Sequence, residues 1–191
     1  MLKEKDYYKN KSLFITATNT DVGKTYASEK FLRHFAKLGL KVGYFKPCET
    51  GVIDLPLDGN KMLEITKELN PDFTAHITDV VPIEVLKEKK EYLSSLCDVL
   101  IIEGAGGLMV PLEKDLFIID LIKEFQTQAI LITPSKLGSI NDTLLSIEAL
   151  KNRNIDYEFY INLYEDKDSF EEVSLPFLEE YFDKLNYLHN I

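Results

Sequence analysis

Short apolar runs alternate with segments of helical periodicity along this chain. Five such runs are typical of buried strands, at residues 12–17, 41–46, 98–103, 129–133 and 158–162. Between them, apolar residues recur every three or four positions, so that Ala27, Phe31 and Phe35 fall on one helical face. This periodicity predicts helices at residues 24–38, 58–69, 84–96, 116–125, 139–150 and near 176–185. Residues 70–83 are expected to form a loop.

The alternation of strands and helices predicts an α/β fold. Strands of this kind form a mostly parallel central sheet that is flanked by helices on both faces, which gives three layers. We expect a single domain over residues 1–191, with a short N-terminal extension at 1–11 and an acidic C-terminal tail at 163–191. Ligands in such sheets bind at the carboxyl ends of the strands. The residues that follow each predicted strand are therefore the candidates for a binding site.

The charge of the chain narrows the classes of partner. A net charge of −10 argues against nucleic acid and against a membrane surface as partners. Residues 151–191 hold ten acidic and four basic residues, so most of the excess negative charge lies there. We interpret that stretch as a solvated surface, which is the usual role of a run of charges.

The cysteines and histidines predict neither a disulfide framework nor a metal site. Cys48 and Cys97 form no CxxC pair, and the three histidines lack metal-ligand spacing. Residues 1–11 are charged and lack the apolar segment of a signal peptide. No apolar run approaches the roughly 20 residues that span a bilayer. A cytoplasmic protein is expected.

The segment between the first predicted strand and helix has the features of a phosphate-binding loop. It reads ATNTDVGKT from Ala17 to Thr25, one residue longer than the usual G-x-x-x-x-G-K-[ST] pattern and with alanine as its first residue. Backbone N–H groups of such a loop wrap a phosphate at a helix N-terminus, and Gly23 permits close approach. Lys24 would neutralise the β- and γ-phosphates, and the Thr25 hydroxyl would bind Mg²⁺. The loop predicts a P-loop NTPase-like version of the α/β fold.

Charged residues also follow the second and third predicted strands. Lys46 ends the second strand and is suited to stabilising the negative charge that develops during phosphoryl transfer. Glu103 ends the third strand, directly before the sequence GAGG, and is a candidate Mg²⁺ ligand. Asp58, at the start of the next predicted helix, is either a second Mg²⁺ ligand or a plain N-cap.

The start of the helix predicted at residues 139–150 has two interpretations. Ser139 and Asp142 have the spacing of a capping box. The free N–H groups of this helix start would also suit an anion such as a carboxylate. On the residues alone, capping is favoured over ligand binding.

Four motifs occur in an order that a known family shares. They are the lengthened phosphate loop and the segments K-P-x-x-[ST]-G, E-G-A-G-G and K-L-G-x-I-N, which together cover residues 12–163. In these motifs the chain resembles dethiobiotin synthetase of the biotin pathway. The resemblance implies an ATP- and Mg²⁺-dependent ligase that joins CO₂ to 7,8-diaminopelargonate. One amine forms a carbamate, ATP phosphorylates it, and the second amine closes the ureido ring as phosphate leaves.

The resemblance also implies a role for individual residues. Lys46, Lys24 and Thr20 would act in catalysis, with Lys46 stabilising the carbamate and the transferring phosphoryl group. Mg²⁺ would be held by Thr25, Asp58 and Glu103. The nucleotide would be bound by Asp21, Val22, Gly23, Lys24, Thr25, Tyr26, Asp58, Glu103, Gly104, Ala105, Gly106 and Asn162, the last of these at the adenine edge. The substrate would be bound by Thr50, Gly138, Ser139, Ile140 and Asn141.

The implied partners are diaminopelargonate, CO₂, ATP and a second copy of the chain. In the family, the helix start that corresponds to Gly138 and its three successors holds the substrate carboxylate of the partner subunit's site. The resemblance therefore implies a homodimer. Neither nucleic acid nor a membrane is an expected partner.

Three other classes of protein share parts of this pattern. Nucleotide-switch ATPases of the partition or septum-positioning type have similar loops, but they typically carry a lysine early in the loop, which residues 17–22 lack. Amidotransferase-type ligases carry a glutaminase domain for which 191 residues leave no room. A degenerate, non-catalytic homologue is disfavoured by the intact Lys24, Thr25, Lys46 and Glu103. The switch ATPase remains the main alternative.

Overall fold

A five-stranded parallel sheet forms the middle layer of the protein. The computed structural model describes residues 2–49, 56–76 and 85–191. The strands, numbered along the chain, are β1 (Lys11–Ala17), β2 (Val42–Phe45), β3 (Val99–Gly107), β4 (Pro111–Glu113), β5 (Leu116–Phe117), β6 (Gln128–Pro134) and β7 (Tyr157–Asn162). The sheet has the order β2-β3-β1-β6-β7, and β4 and β5 form a separate antiparallel pair.

Helices cover both faces of this sheet, so the predicted three-layer α/β fold is confirmed. They are α1 (Lys5–Tyr8), α2 (Lys24–Lys37), α3 (Leu57–Leu69), α4 (Leu86–Ser94), α5 (Ile118–Glu124), α6 (Ser139–Asn152), α7 (Lys167–Ser169) and α8 (Leu175–Tyr181). A π-helical turn at Phe170–Ser174 joins α7 to α8, and a 3₁₀ turn lies at Leu188–Asn190. Within the described part of the chain, no helix is both long and apolar enough to cross a membrane.

Alternate residues of the central strands face opposite layers of helices. Leu13 and Ile15 of β1 pack in the core under α2 and α3, whereas Phe14 packs in the core on the other face. In β3, Ile101 belongs to the α2 side. Because side chains alternate along a strand, Glu103 follows Ile101 on that same side. The alternation thus directs the Glu103 carboxylate toward α2.

Strand β3 extends four residues beyond the predicted run 98–103. Ile15 of β1 pairs with Glu103, but Ala17 pairs with Gly107, so three residues of β3 oppose one residue of β1. This irregularity is a β-bulge that contains the glycine-rich segment. The prediction ended the strand too early because consecutive glycines are typical of a turn.

The helix predicted at residues 116–125 is wrong at its first two positions. Leu116 and Phe117 form β5 and pair with β4. The Asp120 carboxylate accepts a 2.9 Å hydrogen bond from the backbone N–H of Phe117, and the helix begins at the next residue. An acceptor three residues into the helix therefore fixes its start.

The acidic segment 163–191 packs on the sheet through a few apolar side chains. Phe170, Leu178 and Leu188 are buried, and Tyr187 forms a parallel bridge with Ile161 of β7. The helix expected near residues 176–185 is α8, which ends at Tyr181. Within the stretch 151–191 that we interpret as a solvated surface, Glu158 is half-buried. The acidic side chains beyond residue 162 are exposed, as that interpretation predicts: they are Glu165, Asp166, Asp168, Glu171, Glu172, Glu179, Glu180 and Asp183.

Candidate functional site

A cavity of about 380 Å³ lies at the carboxyl edge of the sheet. The loop after β1, the ends of β2 and β3, and the start of α3 meet around it. It is lined by Thr20, Asp21, Gly23, Lys24, Thr25, Tyr26, Lys46, Glu49, Asp58, Glu103, Gly104, Ala105 and Gly106. The structure thus brings together most of the residues that the sequence predicts to bind the nucleotide and the metal.

The predicted phosphate loop connects β1 to α2 and is held from β7. Gly23 is the N-cap of α2 with a φ of +97°, a left-handed conformation that costs glycine little. Asn162 donates a hydrogen bond from Nδ2 to the Val22 carbonyl oxygen at 3.1 Å. The Tyr164 hydroxyl donates to the Asp21 carbonyl oxygen at 2.8 Å. Both contacts fix the backbone of the loop beside the start of α2.

Ala17, the first residue of the predicted loop, belongs to the strand instead. It is the last residue of β1 and is fully buried in the core on the α2 side. Its methyl group therefore needs no space within the loop. The close backbone approach occurs at Gly107, where a Cβ would lie 3.1 Å from the Thr18 carbonyl oxygen. The glycine that permits a close backbone approach therefore lies in the neighbouring strand β3 and not at the first position of the loop.

Lys24 closes the loop from the first position of α2. Its Nζ donates to the carbonyl oxygen of Asn19 at 2.9 Å, across the curve of the loop. Burial lowers the pKa of Lys24, although the nearby Glu103 carboxylate acts in the opposite direction. The ammonium group therefore lies over the backbone that would wrap a phosphate.

Glu103 is a buried carboxylate with a hydrogen-bond donor on every side. Its Oε1 accepts from Thr25 Oγ1 at 2.8 Å and from Lys46 Nζ at 3.0 Å. Its Oε2 accepts from Ser28 Oγ at 2.7 Å and from the Tyr44 hydroxyl at 3.1 Å. Burial, with Glu103 close by, raises the pKa of Tyr44 well above its ordinary value, so that hydroxyl stays protonated and donates.

Asp58 points into the cavity rather than capping its helix. The N-cap of α3 is Pro56 and Asp58 is the second helical residue, so the N-cap interpretation is wrong. Its Oδ2 accepts from Lys46 Nζ at 2.9 Å and lies 3.3 Å from Thr25 Oγ1. The N–H groups of Asp58 and Gly59 instead donate to the Glu49 carboxylate at 3.1 and 3.0 Å. The Glu49 carboxylate thus accepts from the N–H groups at the start of α3, and the Asp58 carboxylate remains available to the cavity.

Lys46 forms ion pairs with the carboxylates of Asp58 and Glu103, at 2.9 and 3.0 Å. Burial opposes its charged form, but the contacts with Glu103 and Asp58 outweigh burial and raise the pKa of Lys46. Burial likewise acts to raise the pKa of Asp58, and the Lys46 ammonium outweighs it and lowers that pKa. The raised pKa of Lys46 and the lowered pKa of Asp58 both favour the charged form of the group. Lys46 and Asp58 therefore form a charged pair at neutral pH, beside the buried Glu103.

The oxygen atoms around Lys46 also suit a magnesium ion. Among residues 2–49, 56–76 and 85–191, no three His, Cys, Asp or Glu side chains form a metal-binding group. Thr25 Oγ1 nevertheless lies 2.8 Å from Glu103 Oε1 and 3.3 Å from Asp58 Oδ2. Mg²⁺ is typically bound by one or two carboxylates together with water and substrate phosphates. This set of hard oxygen donors beside a phosphate loop fits that pattern.

Four predicted substrate-binding residues, Gly138, Ser139, Ile140 and Asn141, are not among the described residues that line this cavity. Gly138 is the N-cap of α6 with a φ of +91°, and Ser139 is already the first helical residue. The capping box predicted from Ser139 and Asp142 is therefore wrong, because a glycine N-cap has no side chain to accept a hydrogen bond. Asn141 is exposed, Ile140 half-buried and Ser139 buried. Thr50, the remaining predicted substrate contact, lies outside the described residues.

A larger cleft of about 700 Å³ lies at the opposite edge of the sheet. Its lining carries both signs of charge, from Lys11, Lys90 and Lys123 and from Asp98 and Asp156. The smaller cavity is the better candidate because it lies at the carboxyl ends of the parallel strands, where ligands bind in such sheets.

Solved structures of known proteins have the same fold. The chain resembles the cell division protein MinD of Aquifex aeolicus with a TM-score of 0.60 and 18% identity, covering 92% of this chain and 80% of that one. It resembles the signal recognition particle receptor FtsY of Elizabethkingia anophelis with a TM-score of 0.60 and 14% identity, over 93% and 56% of the two chains. At these identities the likeness shows the P-loop NTPase fold alone. The switch-ATPase alternative has only such distant support.

Sequence comparison identifies much nearer relatives. A family model described as an AAA domain matches residues 11–162. The ATP-dependent dethiobiotin synthetase of Sulfurovum sp. is 48% identical over 90% of this chain and 91% of its own length. The enzyme of the same name from Wolinella succinogenes is 36% identical over 92% and 91%. The chain therefore belongs to this AAA-domain family and, within it, to the ATP-dependent dethiobiotin synthetases.

Proposed function

We propose that this chain converts 7,8-diaminopelargonate and CO₂ into dethiobiotin at the expense of ATP. The observation that carries the proposal is the position of Lys46, which lies beside the phosphate loop and between the carboxylates of Glu103 and Asp58. A cation at that place can follow negative charge as it moves from the nucleotide to a second substrate. The names and the high coverage of the relatives support the same reaction.

ATP binds with its phosphates in the loop before α2. The backbone N–H groups at Gly23 and its neighbours face the phosphates, and Lys24 exchanges its contact with the Asn19 carbonyl for phosphate oxygens. Tyr26 and Gly104–Gly106 line the same cavity. Asn162 holds the loop through Val22 and is the proposed contact for the adenine edge.

Thr25, Asp58 and Glu103 hold Mg²⁺ in this proposal. When bound, the ion neutralises charge on the β- and γ-phosphates. The three oxygen donors come from α2, α3 and β3, so the position of the ion depends on how these elements pack. Lys46 then exchanges at least one carboxylate for an anionic substrate, which its flexible side chain permits.

The chemistry places an anion beside Lys46 at every stage. One substrate amine attacks CO₂ and loses a proton, which gives a carbamate. A carbamate oxygen attacks the γ-phosphorus, and ADP leaves. The second amine then attacks the carbonyl carbon and loses a proton, and inorganic phosphate leaves with one of the oxygens of CO₂ as the ring closes. Lys46 stabilises the carbamate and the transferring phosphoryl group, while Thr20 orients the diamine. Orientation and charge stabilisation suffice for such steps.

The substrate carboxylate binds at a second copy of the chain. Gly138, Ser139, Ile140 and Asn141 form a helix start that lies outside the cavity of their own chain. The Ser139 N–H donates to the Lys136 carbonyl oxygen at 3.2 Å, so the neighbouring N–H groups of this first turn would bind the carboxylate. Leu137 is 74% exposed beside this segment, and the proposed partner subunit would cover it. Thr50 completes the substrate contacts. The proposed enzyme is a cytoplasmic homodimer.

A complementation experiment tests the shared site. Lys46→Ala impairs the phosphoryl-transfer half of a site, and Asn141→Asp places a negative charge where the carboxylate would bind. In a homodimer with shared sites, mixing the two inactive variants restores activity, because each heterodimer contains one intact site. If subunit exchange is verified and the activity is still not restored, the shared arrangement is contradicted.

The reaction itself is tested by incubation with diaminopelargonate, bicarbonate, ATP and Mg²⁺, with mass spectrometry of the product. Lys46→Ala should lower turnover by about 10²–10³-fold, the effect of removing one stabilising group. Lys41→Ala is the matched control, because Lys41 lies at the amino end of the same strand and pairs with the exposed Asp72. ATP hydrolysis without dethiobiotin in the folded wild-type protein would overturn the proposal.

A further inference from the structure

The two carboxylate oxygens of Glu103 have different kinds of partner. Oε1 accepts from Thr25 and Lys46, and both of these residues line the cavity. Oε2 accepts from Ser28 at 2.7 Å and from Tyr44 at 3.1 Å, and neither of these lines the cavity. One oxygen therefore faces the cavity, and the other is held from behind by two hydroxyl groups.

We propose that Ser28 and Tyr44 are positioning residues that hold Oε2 of Glu103, so that the carboxylate presents Oε1 alone to a divalent cation. Ser28 approaches from α2 and Tyr44 from β2, so the carboxylate is held from two elements. This inference rests on the proposed Mg²⁺ site and extends it to the choice of metal.

Burial makes the two hydroxyl contacts consequential. Ser28, Tyr44 and Glu103 are 0%, 5% and 1% exposed. Water therefore cannot readily replace a lost donor, and an unpaired carboxylate oxygen in such surroundings is costly. Removal of either hydroxyl leaves the carboxylate free to turn toward the remaining donors, including Lys46. The position of Oε1 then becomes less well defined.

Holding one oxygen also favours magnesium over calcium. Mg²⁺ requires near-octahedral geometry with short bonds, whereas Ca²⁺ accepts more ligands and often binds a carboxylate through both oxygens. With Oε2 bound to Ser28 and Tyr44, Glu103 can offer only one oxygen. Loss of one hydroxyl leaves Oε2 with a single donor, so the carboxylate can turn, binding through both oxygens becomes more accessible and the preference for Mg²⁺ over Ca²⁺ narrows.

The experiment measures how strongly a metal promotes binding of a non-hydrolysable ATP analogue. Isothermal titration gives the dissociation constant with Mg²⁺, with Ca²⁺ and with chelator alone. In Tyr44→Phe and in Ser28→Ala, the factor by which Mg²⁺ strengthens binding should fall about tenfold, as is typical when a partner of a metal ligand is removed. Affinity without metal should stay at the wild-type value, and the preference for Mg²⁺ over Ca²⁺ should narrow.

Tyr160→Phe is the matched control. Tyr160 is 3% exposed, lies in the same apolar cluster as Tyr44 and donates its hydroxyl to a different acid, Glu158, at 3.1 Å. Tyr160→Phe should leave the factor by which Mg²⁺ strengthens analogue binding unchanged, even if it lowers the melting temperature. A purely structural role for Ser28 and Tyr44 would make their variants behave in the same way as this control.

The outcomes separate this inference from the proposed function. A wild-type protein whose analogue binding responds to Mg²⁺, with unchanged responses in Tyr44→Phe and Ser28→Ala, overturns the positioning role and leaves the proposed function intact. A wild-type protein that does not bind the analogue overturns both. If Ser28→Ala does not fold, Tyr44→Phe decides, because it removes one oxygen atom and keeps the buried ring.

Discussion

Replacement of Gly23 by alanine tests how the phosphate loop is held. Gly23 has a φ of +97°, and an added Cβ would lie 2.4 Å from Nδ2 of Asn162. Asn162 is 8% exposed, and that same nitrogen donates to the Val22 carbonyl oxygen. The methyl group would therefore displace the amide that fixes the loop. Gly39 is a suitable control, because its φ is +73° and an added Cβ meets only the end of the exposed Lys5 side chain, at 3.4 Å.

The energetic difference between the two glycine variants follows from these contacts. A left-handed conformation costs an alanine about 1–2 kcal/mol at either position. Gly23→Ala also breaks the hydrogen bond from Asn162 and leaves buried polar groups without partners, which adds about 1–3 kcal/mol. We therefore expect Gly39→Ala to lower the free energy of unfolding by about 1–2 kcal/mol, and Gly23→Ala by about 2–5 kcal/mol.

Urea unfolding of a double-mutant cycle measures this difference. Asn162→Ala removes the displaced amide, so Gly23→Ala in that background should cost no more than Gly39→Ala does in the wild type. The coupling free energy between positions 23 and 162 should be about 2 kcal/mol, from midpoints compared at a common slope. Additive effects of Gly23→Ala and Asn162→Ala, or equal losses in Gly23→Ala and Gly39→Ala, would refute the reasoning.

Three further predictions concern individual side chains. The pKa of Asp58 is lowered in the folded protein, so the ionised carboxylate stabilises the fold at a pH above its ordinary pKa of 3.8. This stabilisation is lost as the pH falls, and the difference in melting temperature between wild type and Asp58→Asn should therefore shrink below about pH 4. Thr25→Val should weaken the Mg²⁺-dependent part of nucleotide binding at least about tenfold, while Thr25→Ser retains it; equal losses would contradict a hydroxyl ligand. Burial raises the pKa of Cys97 from 9.0 to about 12, so in a Cys48→Ser background its thiol should react with Ellman's reagent at pH 8 more than about tenfold more slowly than in urea, because the smaller thiolate fraction outweighs the higher nucleophilicity of that thiolate.

The placement of Lys46 and Glu103 at one edge of the sheet could be predicted because it depends on short-range patterns. A buried run followed by a charged residue predicts Lys46 and Glu103 at one edge of a parallel sheet, and the structure joins them at 3.0 Å. The same reasoning could also have predicted that Tyr44 lies near the site, because Tyr44 is two positions before Lys46 and therefore on the same face of the strand. Ser28 lies one helical turn after Thr25 and so faces the same way.

The predicted starts of α2 and α6 are confirmed, but the N-caps of α3 and α6 could not be predicted, because several neighbouring residues compete for each cap position. Asp58 and Ser139 are both good N-caps locally, yet Pro56 and Gly138 take that position. The carboxylate that satisfies the start of α3 comes from Glu49, nine residues earlier, which is a tertiary contact. The extent of β3 depended likewise on pairing with β1 rather than on its own glycine-rich sequence.

Isotope transfer from labelled bicarbonate tests the central claim most directly. The enzyme is incubated with bicarbonate carrying ¹³C and ¹⁸O, together with diaminopelargonate, Mg²⁺ and ATP, and both products are analysed promptly by mass spectrometry. Phosphorylation of a carbamate predicts ¹³C in the ureido carbonyl of dethiobiotin and one ¹⁸O atom in each phosphate released. Unlabelled phosphate released alongside dethiobiotin whose ureido oxygen still carries ¹⁸O would contradict the claim, because it would show that a carbamate oxygen does not receive the phosphoryl group.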